Sequence, residues 1–474
     1  MLKRCQWIPI LSLGILLLLG TSQGRSQTRD TVSPQKLSLQ QFLTKATQED
    51  TEFERILIEE LALKYQKALR LPARDLVLSV KGQYAFYLNQ GREEPDVSMG
   101  LSKLFPHTGT EISVDYSASP RFTNTDSSSS VGLTLSQPIA ENAFGRSTRL
   151  LDKIVGLEVE VARHQIVEAY EDYMATLIEA YLVWDEAYEN VEIGESSYRE
   201  NLKLLDNIKE RQGSSIAKEI DVNKITLQVM AKREKLLELQ NTYRRAENVI
   251  LTAMRAPDDA EYVPNLPDPF AGPENDFIQD YTEFRNQSRT YQVLDLLEQK
   301  SGLEVAREAD DLLPSINLLL SYELQGEEFQ VVREDSVLFA GFSVEWPFPD
   351  QVDGAEHELS KIERRRTELD VENTHFRLYT QIRNLRLEID RERELAAIAN
   401  EKIALSRSVL EDESENYTYG KVTLNDYIQA VNGLDTNRFN LVLHQVRLQE
   451  LILEWQRLTD RLVSPEQIQE KHSQ

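Results

Sequence analysis

The chain repeats one set of landmarks twice, in the same order, and this duplication limits its fold more than any other feature. Leu71-Pro72 opens the run Leu-Pro-Ala-Arg-Asp-Leu-Val-Leu-Ser, and Leu313-Pro314 opens Leu-Pro-Ser-Ile-Asn-Leu-Leu-Leu-Ser. Pro138, in Ser136-Gln-Pro-Ile, matches Pro347, in Glu345-Trp-Pro-Phe, and Gly213 matches Gly420. The offsets are 242, 209 and 207 residues, so the first copy holds roughly 33 extra residues between its Leu-Pro and its later Pro. Each copy reads as helix, strands, a very long helix, a sharp turn and a long returning helix. The expected organisation is a first repeat over 28–258, a linker over 259–274, a second repeat over 275–463 and a polar tail over 464–474.

The strand segments alternate with period two. Leu76, Leu78, Val80, Tyr84, Phe86 and Leu88 share a face opposite Ser79, Lys81 and Gln83, and Val131, Leu133 and Leu135 alternate with Gly132, Thr134 and Ser136. In the second copy Ile316, Leu318, Leu320, Tyr322 and Leu324 oppose Ser315, Asn317, Ser321 and Glu323. Leu338, Ala340, Phe342, Val344 and Trp346 oppose Gly341, Ser343 and Glu345. About ten residues with one apolar face is the pattern of a strand between lipid and lumen. An ordinary half-buried sheet alternates in the same way, but no second sheet is legible to cover these faces. Residues 97–104 and 110–118 alternate too, and fit either an outer hairpin or two further barrel strands.

The helical segments keep heptads. Met174, Leu177, Tyr181, Trp184, Tyr188 and Val191 step 3-4-3-4-3, and Leu378, Ile382, Leu385, Ile389, Ala396, Ala399 and Ile403 keep the same phase. Leu451, Trp455, Leu458 and Leu462 do so on the returning arm. A helix over 146–211 would be about 100 Å long at 1.5 Å per residue. Such a repeat needs helical partners along its length, so each copy predicts an antiparallel hairpin, with Gly213 or Gly420 turning the chain free of a Cβ penalty. Four to six strands would leave open edges that lipid cannot satisfy. Oligomerisation follows; the number of copies does not.

Export is expected from the first 27 residues: Lys3 and Arg4, an apolar core from Ile8 to Leu19, and small residues at Ser22 to Ser26. Cys5 is the only cysteine and precedes that core, which excludes disulfides and thiolate metal sites. The net charge of −26 lacks the basic footprint of a nucleic-acid binder. No zinc-protease, phosphate-loop, dinucleotide or nucleophile-elbow motif occurs. The histidines (107, 164, 357, 375, 444 and 472) are scattered singly. No enzyme activity, cofactor or metal is expected.

From Ser38 to Leu462 the chain resembles the TolC-like outer-membrane efflux proteins. The resemblance rests on the duplicated Leu-Pro strand openings and on the hairpin tips Gly213-Ser-Ser-Ile-Ala-Lys-Glu-Ile-Asp-Val and Gly420-Lys-Val-Thr-Leu-Asn-Asp-Tyr-Ile-Gln-Ala. It implies an α+β membrane protein: a homotrimer whose twelve strands, four per protomer, form one barrel in outer-membrane lipid, continued by an antiparallel coiled-coil tunnel into the periplasm. It also implies docking of the tips at Gly213, Ser214, Gly420 and Lys421 to a periplasmic adaptor and an inner-membrane efflux pump or ABC transporter. Counted from the tip glycine, Asp426 falls at the acid that constricts the tunnel mouth, Tyr417 at the gating tyrosine and Glu219 at the acidic partner. Gln429 and Val422 depart from the pattern, standing where a second acid and a basic residue belong. Three Asp426 carboxylates on one axis would raise one another's pKa and attract cations. The rival reading is a soluble periplasmic coiled-coil scaffold or adaptor, which explains the heptads and the acidity but not the duplicated strands.

Overall fold

The computed structural model describes residues 35–48, 50–88, 92–119, 128–257, 260–265, 270–274, 276–327 and 330–463. The expected export signal and polar tail lie outside these residues. In chain order the elements are β1 (Gln35–Ser38), α1 (Leu39–Gln48), α2 (Thr51–Arg70), β2 (Leu76–Tyr87), β3 (Arg92–Phe105), β4 (Thr110–Ser119) and β5 (Ser128–Pro138). Next come α3 (Arg146–Gly213), α4 (Glu219–Ala253), β6 (Tyr262–Asn265), α5 (Phe277–Gln287) and α6 (Arg289–Asp311). The chain continues through β7 (Ser315–Glu327), β8 (Gln330–Glu345), α7 (Val352–Thr418) and α8 (Leu424–Leu458).

Six strands form one sheet in the order β2-β3-β4-β5-β7-β8, and every pair is antiparallel. Residues 97–104 and 110–118 are therefore strands of this sheet, which among the described residues holds six where the family resemblance implies four barrel strands. The register aligns the apolar positions across the sheet. Leu78 faces Leu101, Leu101 faces Val114, Val114 faces Leu133, Leu133 faces Tyr322 and Tyr322 faces Leu338. The opposite face is mainly Ser, Thr, Gly and acids, with Ser117 bonded to Ser130 and Thr134 to Ser321, both at 2.9 Å. Among the described residues nothing covers the apolar face: Phe342 is 73% exposed, and Trp346 just beyond β8 60%. Side chains of this size are normally buried, so the face is an exposed apolar patch of unusual extent.

The helices gain their stability from heptad burial, since propensity alone cannot hold 68 residues straight. Tyr181 and Trp184 are fully buried on α3, packed with Phe42 of α1 and Ile250 of α4. On the second hairpin Leu378, Ile382, Leu385 and Ile389 of α7 pack with Leu451 and Trp455 of α8 and Phe284 of α5. Part of the stretch read as a plain linker is structured. Its Tyr262–Asn265 segment pairs in parallel with β1, and the Tyr181 hydroxyl donates to the Leu37 carbonyl while accepting from the Asn265 amide. Burial pushes that phenol up to about 12. Among the described residues no helix is long and apolar enough to cross a membrane.

A tight junction joins sheet to helices. Asn142, Phe144 and Gly145 all take left-handed φ between β5 and α3. The β3–β4 turn docks on this junction: Arg149 donates to the His107 carbonyl at 2.6 Å, and Arg74 meets the His107 ring at 3.0 Å. Gly145 is required there, because a Cβ would sit 2.4 Å from the His107 carbonyl oxygen at φ +76°. Gly145→Ala should therefore lower stability by about 1–3 kcal/mol. Gly213→Ala, with nothing within 4 Å of the added carbon, should be neutral. Melting of the two variants in detergent checks the contrast, and equal Tm values would refute it.

Candidate functional site

The far ends of the helices gather the residues singled out in the sequence. The α3–α4 turn is closed by Ile216 and Ala217 amides donating to the Arg211 carbonyl at 2.8 and 3.2 Å. The left-handed residue is Ser215 at φ +60°, while Gly213 is the last residue of α3. The expectation that Gly213 turns the chain is thus corrected: a polar residue takes the αL position two places later, at a modest steric cost. At the second tip glycine does act as expected. Gly420 lies at φ +70°, and the Gly420 and Lys421 amides donate to the Tyr417 and Asn416 carbonyls at 3.0 and 2.9 Å. Ser214 and Lys421 are exposed.

Asp426 occupies the third position of α8, in a capping box with Thr423. The Thr423 hydroxyl and amide donate to its carboxylate at 2.6 and 3.0 Å, and the Asp426 amide donates to the Thr423 hydroxyl at 3.3 Å. These bonds, the hydroxyl's first, hold the Asp426 carboxyl below the usual carboxylate range. In the protomer its pKa moves opposite to the upward shift expected from three crowded copies. Asp221 serves α4 similarly, accepting from the Lys218 amide at 3.2 Å, whereas Glu219 stands exposed at the first position. By cap geometry the counterpart of Asp426 is Asp221, not Glu219. Thr423-x-x-Asp426 was legible as a cap signature.

Tyr417 is half-buried in the tip core with Leu204, Leu205, Ile208, Ile225 and Leu424. Its ring lies 5.7 Å from that of Tyr427, and the Arg211 guanidinium sits over it at 4.9 Å. Burial raises its pKa, and the nearby Arg211 opposes that shift. Arg211 thus places a cation beside the tyrosine where Val422 supplies none, although it comes from the other hairpin. Among the described residues no hydrogen bond joins Tyr417, Glu219 and Asp426 to one another. A cleft of about 330 Å³ opens beside Tyr417 and Tyr427, lined also by Asn201, Lys203 and Ser414.

Further up the helices, buried polar groups tie the two hairpins together, and single-sequence reading missed them. Asp435 of α8 is 3% exposed and meets Lys232 of α4 at 2.7 Å, while Ser197 of α3 donates to the same carboxylate. Gln228 donates to Asn432 at 2.7 Å beside it. Nearer the sheet, Arg289 bridges Glu171 and Asp460, both buried or nearly so. No periodicity marks such partners, because they lie more than 100 residues apart.

Solved structures of similar fold are outer-membrane channels. The outer membrane protein VceC from Vibrio cholerae superposes with a TM-score of 0.67 at 12% identity, over 89% of this chain and 95% of VceC. The Campylobacter jejuni CmeC outer membrane channel gives 0.67 at 13% identity, over 92% of this chain and 89% of CmeC. The open state of the Neisseria gonorrhoeae MtrE outer membrane channel gives 0.60 at 15% identity, over 90% and 89%. No family model and no curated sequence matches the chain. At these identities the likeness is one of fold, and at that level the resemblance to TolC-like outer-membrane efflux proteins holds.

A tip contact and a contact between the hairpins can be separated by substitution. Asp426→Ala should fray the first turn of α8, seen as faster amide exchange at residues 424–427, without unfolding the protomer. Asp435→Ala removes a buried carboxylate and leaves the half-buried Lys232 without it, and should cost about 2 kcal/mol in denaturant titrations. Adding Lys232→Met should restore part of the loss; no recovery would show that the ion pair is not the cause.

Proposed function

We propose that the chain is one protomer of an outer-membrane exit duct, serving a tripartite efflux or type I secretion system. The observation that carries the reading is the six-stranded sheet: one continuous bare apolar face, two unpaired edge strands and helices about 100 Å long leading away from one end. Lipid would cover the apolar face and copies of the chain would pair the edges, forming the barrel. The helical hairpins, packed side by side, would form the periplasmic tunnel. The duplicated plan, 28–258 and 275–463, is part of this reading and is supported by the recurring order of helices, strands and long hairpin. A homotrimer is the assembly expected from the resemblance. The tips at Gly213, Ser214, Gly420 and Lys421 would dock to a periplasmic adaptor, and through it to an inner-membrane pump or ABC transporter. Tyr417 and Asp426 would lie near the mouth, with Glu219 beside the neighbouring turn. The scaffold alternative is not favoured, since a soluble protein would leave Phe342, Trp346 and Leu338 in water.

Assembly and location are checked together. The protein should sediment with outer membranes, resist carbonate extraction and give a trimer by native mass spectrometry in detergent. A stable monomer in the osmotic-shock fraction would sink the reading. Photo-crosslinkers at Ser214 and Lys421 should trap a periplasmic partner, and crosslinks confined to the strand region would reverse the orientation.

The polar face carries a further expectation. Asp115 and Glu323 flank Gly132 in register, and a closed barrel would repeat this pair in every protomer around the lumen. Their field should make the pore cation-selective. Asp115→Asn with Glu323→Gln should move the reversal potential in a salt gradient towards zero, and an unchanged potential would place these acids outside the conduction path.

A further inference from the structure

We propose that the barrel takes all six strands of each protomer, eighteen in a trimer, and so encloses a wider outer passage than twelve strands could. The inference rests on the trimeric reading above and departs from the strand number that the resemblance implies. The extra material is the β3–β4 hairpin, which lies within the interval where the first copy exceeds the second by roughly 33 residues. Three observations keep it inside the barrel wall.

Hydrogen bonding comes first. β3 pairs with β2 on one side and with β4 on the other, and β4 pairs with β5 from Glu111 to Ser119. A hairpin lying outside the wall would have to give up both flanking ladders, leaving unpaired backbone groups in lipid at several kcal/mol each. Side-chain phase comes second. Met99 and Leu101 of β3 and Ile112 and Val114 of β4 project from the same face as Leu78, Leu133 and Leu320, so the apolar surface has no step at the inserted pair. Anchoring comes third. The turn between them lies at the helical end, held by Arg149 and Arg74 against the Gly145 junction. The hairpin thus descends the full height of the sheet to the periplasmic side, as short barrel turns do. Two added strands also preserve alternation: β2 and β8 run opposite ways, so β8 of one protomer can continue antiparallel onto β2 of the next.

Strands 4.8 Å apart and tilted about 40° put eighteen on a ring about 36 Å across, against about 24 Å for twelve. After side chains fill about 5 Å on each wall, twelve strands leave about the width of a single helix and eighteen nearly twice that. The outer passage then suits hydrated cargo bulkier than a single extended or helical chain.

The test uses the full chain carrying Cys5→Ser, with spin labels on Val114→Cys or Ser113→Cys, in trimers confirmed by native mass spectrometry and reconstituted in liposomes. Electron–electron distances between equivalent Val114 positions should correspond to a backbone separation of about 31 Å, whereas a twelve-stranded ring gives about 21 Å. Oxygen should relax the Val114 label and aqueous nickel chelate the Ser113 label. A separation near 21 Å, or equal nickel access at both positions, would overturn the eighteen-stranded wall while leaving the trimeric duct standing. Failure to form a trimer would instead overturn the duct reading itself, and the strand number with it.

Discussion

A sheet with two unpaired edges and one bare apolar face cannot be the end state of a folded chain in water, and the rest of the molecule is arranged around that constraint. Backbone groups at the edges of β2 and β8 need partners, and Phe342, Leu338 and Leu78 need an apolar phase. A closed ring of copies in lipid, the assembly proposed above, would meet both needs, whereas a covering helix would meet only the second. The serine and threonine ladder on the other face, with its interspersed acids, suits water.

The helices solve a different problem. A 68-residue helix is stable only while a partner follows it, and α3 never lacks one. Near the sheet it packs with α2 and α6, along its middle with α1 and α4, and at the tip with α4 and α8. Aromatic residues carry the thickest part of the packing at Trp184 and Trp455. The buried Asp435 links α8 to the half-buried Lys232 of α4 at 2.7 Å, so a charged contact as well as apolar packing joins one hairpin to the other.

Between sheet and helices the junction at Asn142 to Gly145 converts strand direction into helix direction within four residues. Three left-handed residues in so short a stretch are tolerated because the surroundings hold them. Asn142 accepts from the Thr148 amide at 3.1 Å, its own amide donates to Asp310 at 3.1 Å, and the β3–β4 turn closes over Gly145. The inserted hairpin is therefore coupled to the start of α3 and not hung from the sheet as an ornament.

Local pattern carried much of this protein. Period-two alternation in 76–88, 131–136, 316–324 and 338–346 located four strands, heptads marked Tyr181, Trp184 and Trp455 as core, and Gly420 was legible as a turn. These follow from sequence because each depends on neighbours within a few residues. Alternation also flagged 97–118, but could not say whether those strands joined the sheet, since pairing is a choice between distant segments. The turn at Ser215 was misread by counting from the glycine, while the cap at Asp426 was open to reading from Thr423-x-x-Asp426 and that at Asp221 was not, because Lys218 is no usual cap residue. Lys232 with Asp435, Arg211 over Tyr417, and His107 against Gly145 were invisible in one sequence. Each joins groups from separate elements, and only the packed helices and the ordered sheet bring them within reach.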